Sequence, residues 1–278
     1  MGCYIPFRIR GGATEDTPAC DEFLWSPMPD LYRAPMISII IPLYNERDNV
    51  ILYNTDLFLI IDDIARKTGE RFEFVFVDDG SRDDTVEQVR ALASGRPDIK
   101  VLVHQKNSGM GTAIKTGLGS SLGELIITMD ADLTFRPVDV EKLINKYHET
   151  NADCISGSPY LEKGLMEEVT PFRLLMSKTV NFLYRMLLGS GITCVSPIFR
   201  LYRRNQLMEM DISSRNFEIN AEIISKLLIS GKNVVEVPVP LLKRKHGESK
   251  INVKKEIKNY ILLLYRIFKV KYLHREWK

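Results

Sequence analysis

Unbroken β-branched runs alternate along this chain with stretches in which apolar residues recur at helical spacing. Met36–Pro42 (MISIIIP) shows no polar alternation, the pattern of a strand buried on both faces. A helical stretch follows from Asp48 to about Lys67. Phe72–Val77 (FEFVFV) then reads as a second strand that stops at Asp78-Asp79-Gly80-Ser81. Asp83 and Asp84 suit the N-cap and first turn of the next helix. Lys100–His104 reads as a third strand, Gly111–Ser121 as a helix, and Glu124–Met129 as a fourth strand ending in Asp130-Ala131-Asp132. Pro137–Glu149 is helical in pattern and Asp153–Ser156 strand-like. Strands that alternate with helices predict an α/β fold with a mostly parallel sheet flanked by helices.

The second half is less regular. Phe172–Leu188 has helical spacing, Ile198–Tyr202 reads as a strand and Glu218–Leu228 as a helix. Val234–Leu242 carries two prolines, which predicts an edge strand or two short ones. Val253–Val270 closes the chain as a basic amphipathic helix. Pro6, Pro18, Pro27, Pro29 and Pro35 break up the first 35 residues, which read as an irregular arm. The expected division is an arm over 1–35, one α/β domain over 36–252 and a helical tail over 253–278.

Composition narrows the class. With 278 residues, 45% hydrophobic and 27% charged, the chain has material for a packed core and is neither disordered, collagenous nor coiled-coil. The net charge of +2 gives no reason to expect nucleic acid as a partner, but it hides an asymmetry. Lys243–Lys278 holds twelve Lys/Arg against three Asp/Glu, so the remainder carries 26 against 33. A basic tail on an acidic body points to a membrane surface or a polyanion. Cys3, Cys20, Cys154 and Cys194 form no C-x-x-C, which favours reduced thiols in the cytoplasm. His104, His148, His246 and His274 give no H-E-x-x-H zinc site. Met1-Gly2-Cys3 resembles a lipidation start, yet Pro6 stands where Ser or Thr is wanted. The apolar run Tyr260–Tyr265 is too short to cross a bilayer, so a soluble or peripheral chain is expected.

Ligands of open parallel sheets bind beyond the carboxyl ends of the strands. Three such ends are polar here: Pro42-Leu43-Tyr44-Asn45-Glu46, Asp78-Asp79-Gly80-Ser81 and Asp130-Ala131-Asp132. The first strand–helix turn lacks G-x-G-x-x-G, so a dinucleotide site has no foothold. Gly109-Met110-Gly111 has Ile114 in place of a third glycine and reads equally as a tight turn. Two acids one residue apart can offer oxygens to Mg²⁺ alongside substrate phosphates, or simply cap the next helix. The second acidic pair and the later cations Arg244 and Lys250 tip the reading towards a nucleoside-diphosphate site.

These motifs, in this order, carry a resemblance. Ile41–Glu46, Val77–Ser81, Asn107-x-Gly109-x-Gly111-x-Ala113 and Met129–Leu133 resemble inverting family 2 glycosyltransferases of the GT-A (Rossmann-like) fold. Arg200-Leu201-Tyr202-Arg203 and His246-Gly247-Glu248-Ser249-Lys250-Ile251 resemble the dolichyl-phosphate mannose synthase group, and the likeness runs from about Ile37 to Lys258. It implies that Pro42, Tyr44, Glu46, Val77 and Asp79 hold the nucleoside of the donor. It implies that Asp130, Ala131 and Asp132 hold Mg²⁺ or Mn²⁺ and the donor phosphates, with Asp130 and Asp132 as the metal ligands. Arg244 and Lys250 match basic residues of a mobile segment that grips phosphate, and with Asp132 they are the expected catalytic residues. Three positions depart from the family: Thr134 stands for a Gln, Pro159 for an Arg and Cys194 for an Asp.

The implied reaction is metal-dependent transfer from a GDP- or UDP-sugar to a polyprenyl (dolichyl) phosphate, at the cytoplasmic face of a membrane, for glycan or glycoprotein assembly. A phosphate acceptor is largely a dianion at neutral pH, with a second pKa near ~6, and needs no general base. An alcohol acceptor needs one, and Glu222 is either that base or a solvated helix residue. In the tail, Ile257, Ile261, Leu264, Tyr265 and Phe268 form an apolar stripe among Lys254, Lys255, Lys258, Arg266 and Lys269. That helix either docks on the body or lies in the lipid interface. The resemblance also leaves room for a separate membrane-anchor subunit. Two other readings stand beside it: a soluble family 2 enzyme acting on a saccharide or protein hydroxyl, and a non-catalytic nucleotide-sugar-binding protein.

Overall fold

A computed structural model describes residues 36–167, 171–247 and 253–277. Its first element is β1 (Met36–Leu43). Ile37, Ile39, Ile41 and Leu43 enter one core and Ile40 the other, so both faces are buried as the unalternating sequence requires. Pro42 is tolerated there because β4 (Leu125–Thr128) pairs with β1 only as far as Ile40, leaving no ladder on that side for the missing N–H.

The single helix expected over 48–67 is divided. A short α1 (Arg47–Val50) leads into a π-helical turn over Asn54–Phe58, and only then does α2 (Leu59–Thr68) begin. The wider turn lets Tyr53, Leu57 and Phe58 all reach the core. There Tyr53 stacks on Phe76 at 5.6 Å and Phe58 meets Phe74 edge-on at 4.9 Å. The chain continues through β2 (Arg71–Asp78), α3 (Thr85–Ser94), β3 (Ile99–Val103), α4 (Met110–Ser120) and β4. The cap of α3 comes from Asp83, whose Oδ1 accepts the Thr85 N–H at 3.1 Å and its hydroxyl at 2.5 Å; Asp84 makes no side-chain cap. A 3₁₀ turn at Pro137–Asp139 opens α5 (Val140–Thr150), and β5 (Cys154–Ser158) follows.

The remaining elements are α6 (Pro171–Leu188), β6 (Arg200–Arg203), α7 (Arg204–Met208), α8 (Ile219–Ile229), β7 (Val234–Pro238) and α9 (Val253–Leu273). The seven strands form one sheet in the order β3-β2-β1-β4-β6-β5-β7. All pairings are parallel except those of β6, which runs against β4 and β5. The carboxyl ends of β1, β2, β4 and β5 therefore share one edge, and the antiparallel β6 begins at that edge. The proline-bearing segment is one edge strand, β7, plus an isolated bridge between Leu241 and Met166.

Helix α9 has two characters. Leu263 and Ile267 are fully buried with Tyr184, Leu188 and Ile223 of α6 and α8, so it docks on the body. Ile261 (59% exposed), Tyr265 (57%), Phe268 and Tyr272 face outward. The stripe read from sequence is thus split: Ile261, Tyr265 and Phe268 point away, while Leu264 packs against the core. No helix among the described residues is long and apolar enough to cross a membrane.

Candidate active site

The loops after β1 and β2 are stitched together. Asn45, held at φ 52°, donates its N–H to Ser81 Oγ at 2.8 Å, and its side-chain oxygen accepts the Arg82 N–H at 2.7 Å. Glu46 N–H reaches the Thr85 hydroxyl at 2.8 Å. Pro42 and Val77 stand opposite each other in the β1–β2 register, just before these loops. The Glu46 carboxylate, accepting from Asn49 Nδ2 at 2.6 Å, turns towards the strap over 242–247.

Asp78 and Asp79 are buried, and both brace turns. Asp78 Oδ2 accepts the N–H groups of Gly80 (3.1 Å) and Ser81 (2.9 Å). Gly80 has φ +74°, and a Cβ there would lie 2.5 Å from the Lys106 carbonyl carbon, so only glycine fits. Asp79 takes Ser108 N–H (2.9 Å) on one oxygen and Gly109 N–H (2.7 Å) on the other. Its Oδ1 also lies 2.7 Å from His104 Nδ1, while His104 Nε2 lies 3.0 Å from Thr116 Oγ1. Gly109-Met110-Gly111 is accordingly the tight turn at the start of α4.

The pair at the end of β4 is arranged differently. Asp130 Oδ2 accepts the Thr134 N–H at 2.9 Å and the Thr134 hydroxyl, whereas its Oδ1 is buried with no hydrogen-bond partner. Asp132 Oδ1 accepts the same Thr134 N–H at 3.2 Å, and its Oδ2 lies 3.4 Å from Arg244 Nε. Ala131 between them is fixed by its carbonyl, which accepts the Tyr53 hydroxyl at 2.7 Å. Burial, and then the neighbouring Asp132, push the Asp130 carboxyl well above the usual carboxylate range. Burial also works against ionisation of Asp132, but Asp130, Arg244 and Thr134 outweigh it and hold that carboxyl below its ordinary value. Two acids so placed favour a proton or a cation between them.

Arg244 spans the site. Its Nη2 lies 2.5 Å from both Glu46 oxygens, and its Nε donates to the His246 carbonyl at 2.8 Å besides facing Asp132. The strap thus joins the β1 loop to the β4 loop across the sheet edge. Lys250, the second expected cation, lies outside the described residues, as do Glu248, Ser249 and Ile251.

The donor set suits a hard divalent cation. Asp130 supplies a buried oxygen without a partner, and Asp132 a second carboxylate one residue on. Among the described residues no group of three His, Cys, Asp or Glu side chains gathers to hold a metal.

The departures from the family pattern find physical settings. Thr134 caps Asp130 with both its N–H and its hydroxyl. Pro159 is buried directly after β5. Burial pushes the Cys194 thiol up, so no carboxylate charge comes from that position. One arrives instead from β7: Glu236 accepts the Thr193 N–H at 2.8 Å, the Thr193 hydroxyl at 2.9 Å and the Cys194 N–H at 3.1 Å. Nothing in the local sequence around Cys194 points to this distant acid.

Arg200 is fully buried and donates to Ser156 Oγ (2.9 Å), Val195 O (2.8 Å) and Asn220 O (2.6 Å). It knits β5, α8 and the loop before β6. Glu222 is buried too, accepting from Ser213 N (3.0 Å), Ser213 Oγ (3.1 Å) and Ser214 N (2.7 Å), and paired with Lys226 at 2.7 Å. Burial raises its pKa, but Lys226 and the serines outweigh that and keep it ionised. Glu222 is therefore not the solvated helix residue of the alternative reading, because burial and its bonds to Lys226, Ser213 and Ser214 tie it into the fold. A cavity of about 590 Å³ opens at the opposite edge of the sheet, among Gly123, Tyr147, Arg203 and Met208, and contains none of these residues.

A mostly parallel sheet flanked by helices, with an acidic pair and a facing guanidinium at its carboxyl edge, is GT-A-like in fold. The backbone is similar to glucosyl-3-phosphoglycerate synthase from Mycobacterium tuberculosis, in complex with Mn²⁺, UDP and phosphoglyceric acid. The TM-score is 0.60 at 16% identity, covering 84% of this chain and 78% of that one. A complex of the same enzyme with Mg²⁺ and UDP gives 0.55. The Glycosyl transferase family 2 profile matches residues 38–210, and the chain belongs to that family.

Among its relatives, the dolichol-phosphate mannosyltransferase of Pyrococcus furiosus is 34% identical over 84% of this chain. The chain spans 64% of that relative's length. Polyprenol monophosphomannose synthase of Mycolicibacterium smegmatis is 32% identical, covering 77% of this chain and 80% of that protein. Dolichol-phosphate mannosyltransferase of Saccharomyces cerevisiae is 30% identical, covering 78% and 81%.

Proposed function

We propose that this chain transfers a sugar, with mannose the first candidate, from a nucleoside-diphosphate sugar to a polyprenyl phosphate with inversion at the anomeric carbon. The observation that carries the reading is the Asp130–Asp132 pair, with its partnerless buried oxygen and Arg244 alongside. The names and coverage of the three relatives support the acceptor class. In this reading residues 36–252 carry the chemistry, and Pro42, Tyr44, Glu46 and Val77 line the nucleoside end. Asp79 contributes through the turn it braces.

Asp130 and Asp132 would hold Mg²⁺ or Mn²⁺, which neutralises charge growing on the leaving diphosphate. Arg244 leaves its carboxylates to bind phosphate oxygens, with Lys250 as its companion. The acceptor phosphate arrives as a dianion and attacks without a base, in keeping with Glu222 being tied into the fold. Residues 253–278 would carry the membrane contact at the cytoplasmic face. Support comes from the outward Ile261, Tyr265 and Phe268, from exposed Phe182 and Met186 of α6, and from the basic residues of α9.

The test is a panel of GDP- and UDP-sugars offered to one polyprenyl phosphate, with and without Mg²⁺ or Mn²⁺. Metal-dependent formation of an inverted lipid-linked sugar is expected. Transfer to saccharide or protein hydroxyls in preference to the lipid would move the assignment to the soluble class. Nucleotide binding with no transfer to any acceptor would leave a binding protein.

A further inference from the structure

The segment over 211–218, between α7 and α8, carries no residue of the transfer chemistry, yet its bonds run straight to the donor side. The Arg215 carbonyl accepts the Gly111 N–H at 2.8 Å and the Thr112 N–H at 3.3 Å. A Cβ on Gly109 would collide with that carbonyl oxygen, and one on Gly111 would lie 2.8 Å from its carbon. The segment is therefore pressed against the turn that feeds Ser108 and Gly109 N–H groups to Asp79.

It is gripped from two sides. On one, Glu222 of α8 takes Ser213 and Ser214, while Lys226 donates to the Asp211 carbonyl. On the other stands α9. Arg266 Nη1 donates to Ser213 Oγ at 3.2 Å, Lys255 Nζ to Asn216 Oδ1 at 3.2 Å and Asn259 Nδ2 to Glu218 Oε2 at 3.2 Å. The Tyr260 hydroxyl donates to the Phe217 carbonyl at 3.4 Å. Each contact is modest alone, but all converge on eight residues that bond across the gap to α4, at the glycine turn and, through the Ile212 carbonyl, at Lys115 Nζ (3.2 Å).

We propose that residues 211–218 are a platform that positions the Gly109–Gly111 turn for the nucleoside diphosphate, and that α9 sets the height of that platform. Glu222, Lys255, Asn259 and Arg266 are then positioning residues for donor binding, acting through Arg215 without touching the donor. The inference rests on the donor-site reading above. It makes the tail part of the nucleotide site as well as of any lipid contact.

The test uses the full chain in detergent with no lipid present. The variant Lys255→Ala/Asn259→Ala/Arg266→Ala is compared with the parent for amide exchange at Ser108–Thr112 and for affinity towards GDP and UDP. Exchange at Gly111 and Thr112 should quicken, and the preferred nucleotide should bind more weakly, each by roughly tenfold. The donor KM should rise by the same factor while kcat at saturating donor stays within about twofold. Arg275→Ala, an exposed basic residue beyond α9, should change none of these. Ser213→Ala, which removes only the hydroxyl between Arg266 and Glu222, gives the same signs at smaller size and decides the matter should the triple variant not fold. Unchanged amide exchange and unchanged affinity in a folded variant would overturn the proposal. Failure of the parent to bind either nucleotide would instead overturn the donor reading, with the amide exchange still judging the platform.

Discussion

Two pairs of acids end two parallel strands of this sheet, and they have opposite fates. Asp78 Oδ2 and both oxygens of Asp79 are taken by N–H donors from Gly80, Ser81, Ser108 and Gly109 and hold turns, while Asp78 Oδ1 is buried without a partner. Asp130 and Asp132 share a single N–H, that of Thr134, which leaves one buried oxygen bare and another facing a guanidinium. What separates the pairs is the second acid of each, Asp79 having both oxygens taken by N–H donors and Asp132 having one that faces Arg244. Identity and spacing in sequence do not decide that difference.

Breaking the second pair should cost the most activity. Asp132→Asn removes the charge that faces Arg244 and the cation, so transfer should fall by roughly a hundredfold or more with the melting temperature unchanged. Near-normal turnover with the parental metal dependence would retire the metal assignment. Arg244→Ala comes next, with turnover down by roughly ten- to a hundredfold and affinity for the bare nucleoside nearly kept, as read by kinetics and calorimetry. Lys250→Ala should follow the same pattern. A large loss of nucleoside affinity with intact turnover would reverse both roles.

Breaking the first pair should show in stability. Asp79→Asn puts an amide against N–H donors and should cost about 3 kcal/mol, visible as a melting temperature lower by roughly 6–12 °C. The smallest effect belongs to the outward side of α9. Tyr265→Ser/Phe268→Ser should weaken binding to anionic liposomes severalfold with melting and nucleotide affinity unmoved, because neither side chain enters the core. Raised salt should weaken the parent's liposome binding too, as the Debye length falls from about 10 Å at 0.1 M to about 3 Å at 1 M. Deleting residues 254–278 is the blunter experiment. It removes Leu263 and Ile267 from the core, so loss of folding is the expected outcome.

The strand ends were legible because an unalternating apolar run followed by acids is a local signal, and Met36–Pro42, Phe72–Val77 and Glu124–Met129 all fall on observed strands. The π-turn at Asn54–Phe58 was hidden, since burying Tyr53 and Phe58 together depends on Phe74 and Phe76 of another strand. The antiparallel course of β6 is a matter of pairing, and four residues carry no sign of direction. Within the site, the acids could be found but not told apart. The donors that saturate Asp79 come from residues 25 to 30 positions away, and the carboxylate serving Cys194 from 42.

The antiparallel strand also bears on how the chain is made. Because β6 lies between β4 and β5, the sheet cannot close in the order in which it is synthesised. A nascent chain that has formed β1 to β4 shows the row Leu125-Ile126-Ile127-Thr128 as an open, uncharged edge until Arg200–Arg203 has emerged. Such an edge is a template for pairing with another chain, and closing it is a slow, long-range step. Arg200 then locks the inserted strand to Ser156 on its neighbour and to Asn220 beyond the sheet. Its burial marks the moment at which assembly becomes hard to reverse, so Arg200→Met is expected to lower the yield of soluble protein during synthesis more than it lowers the specific activity of the molecules that finish folding.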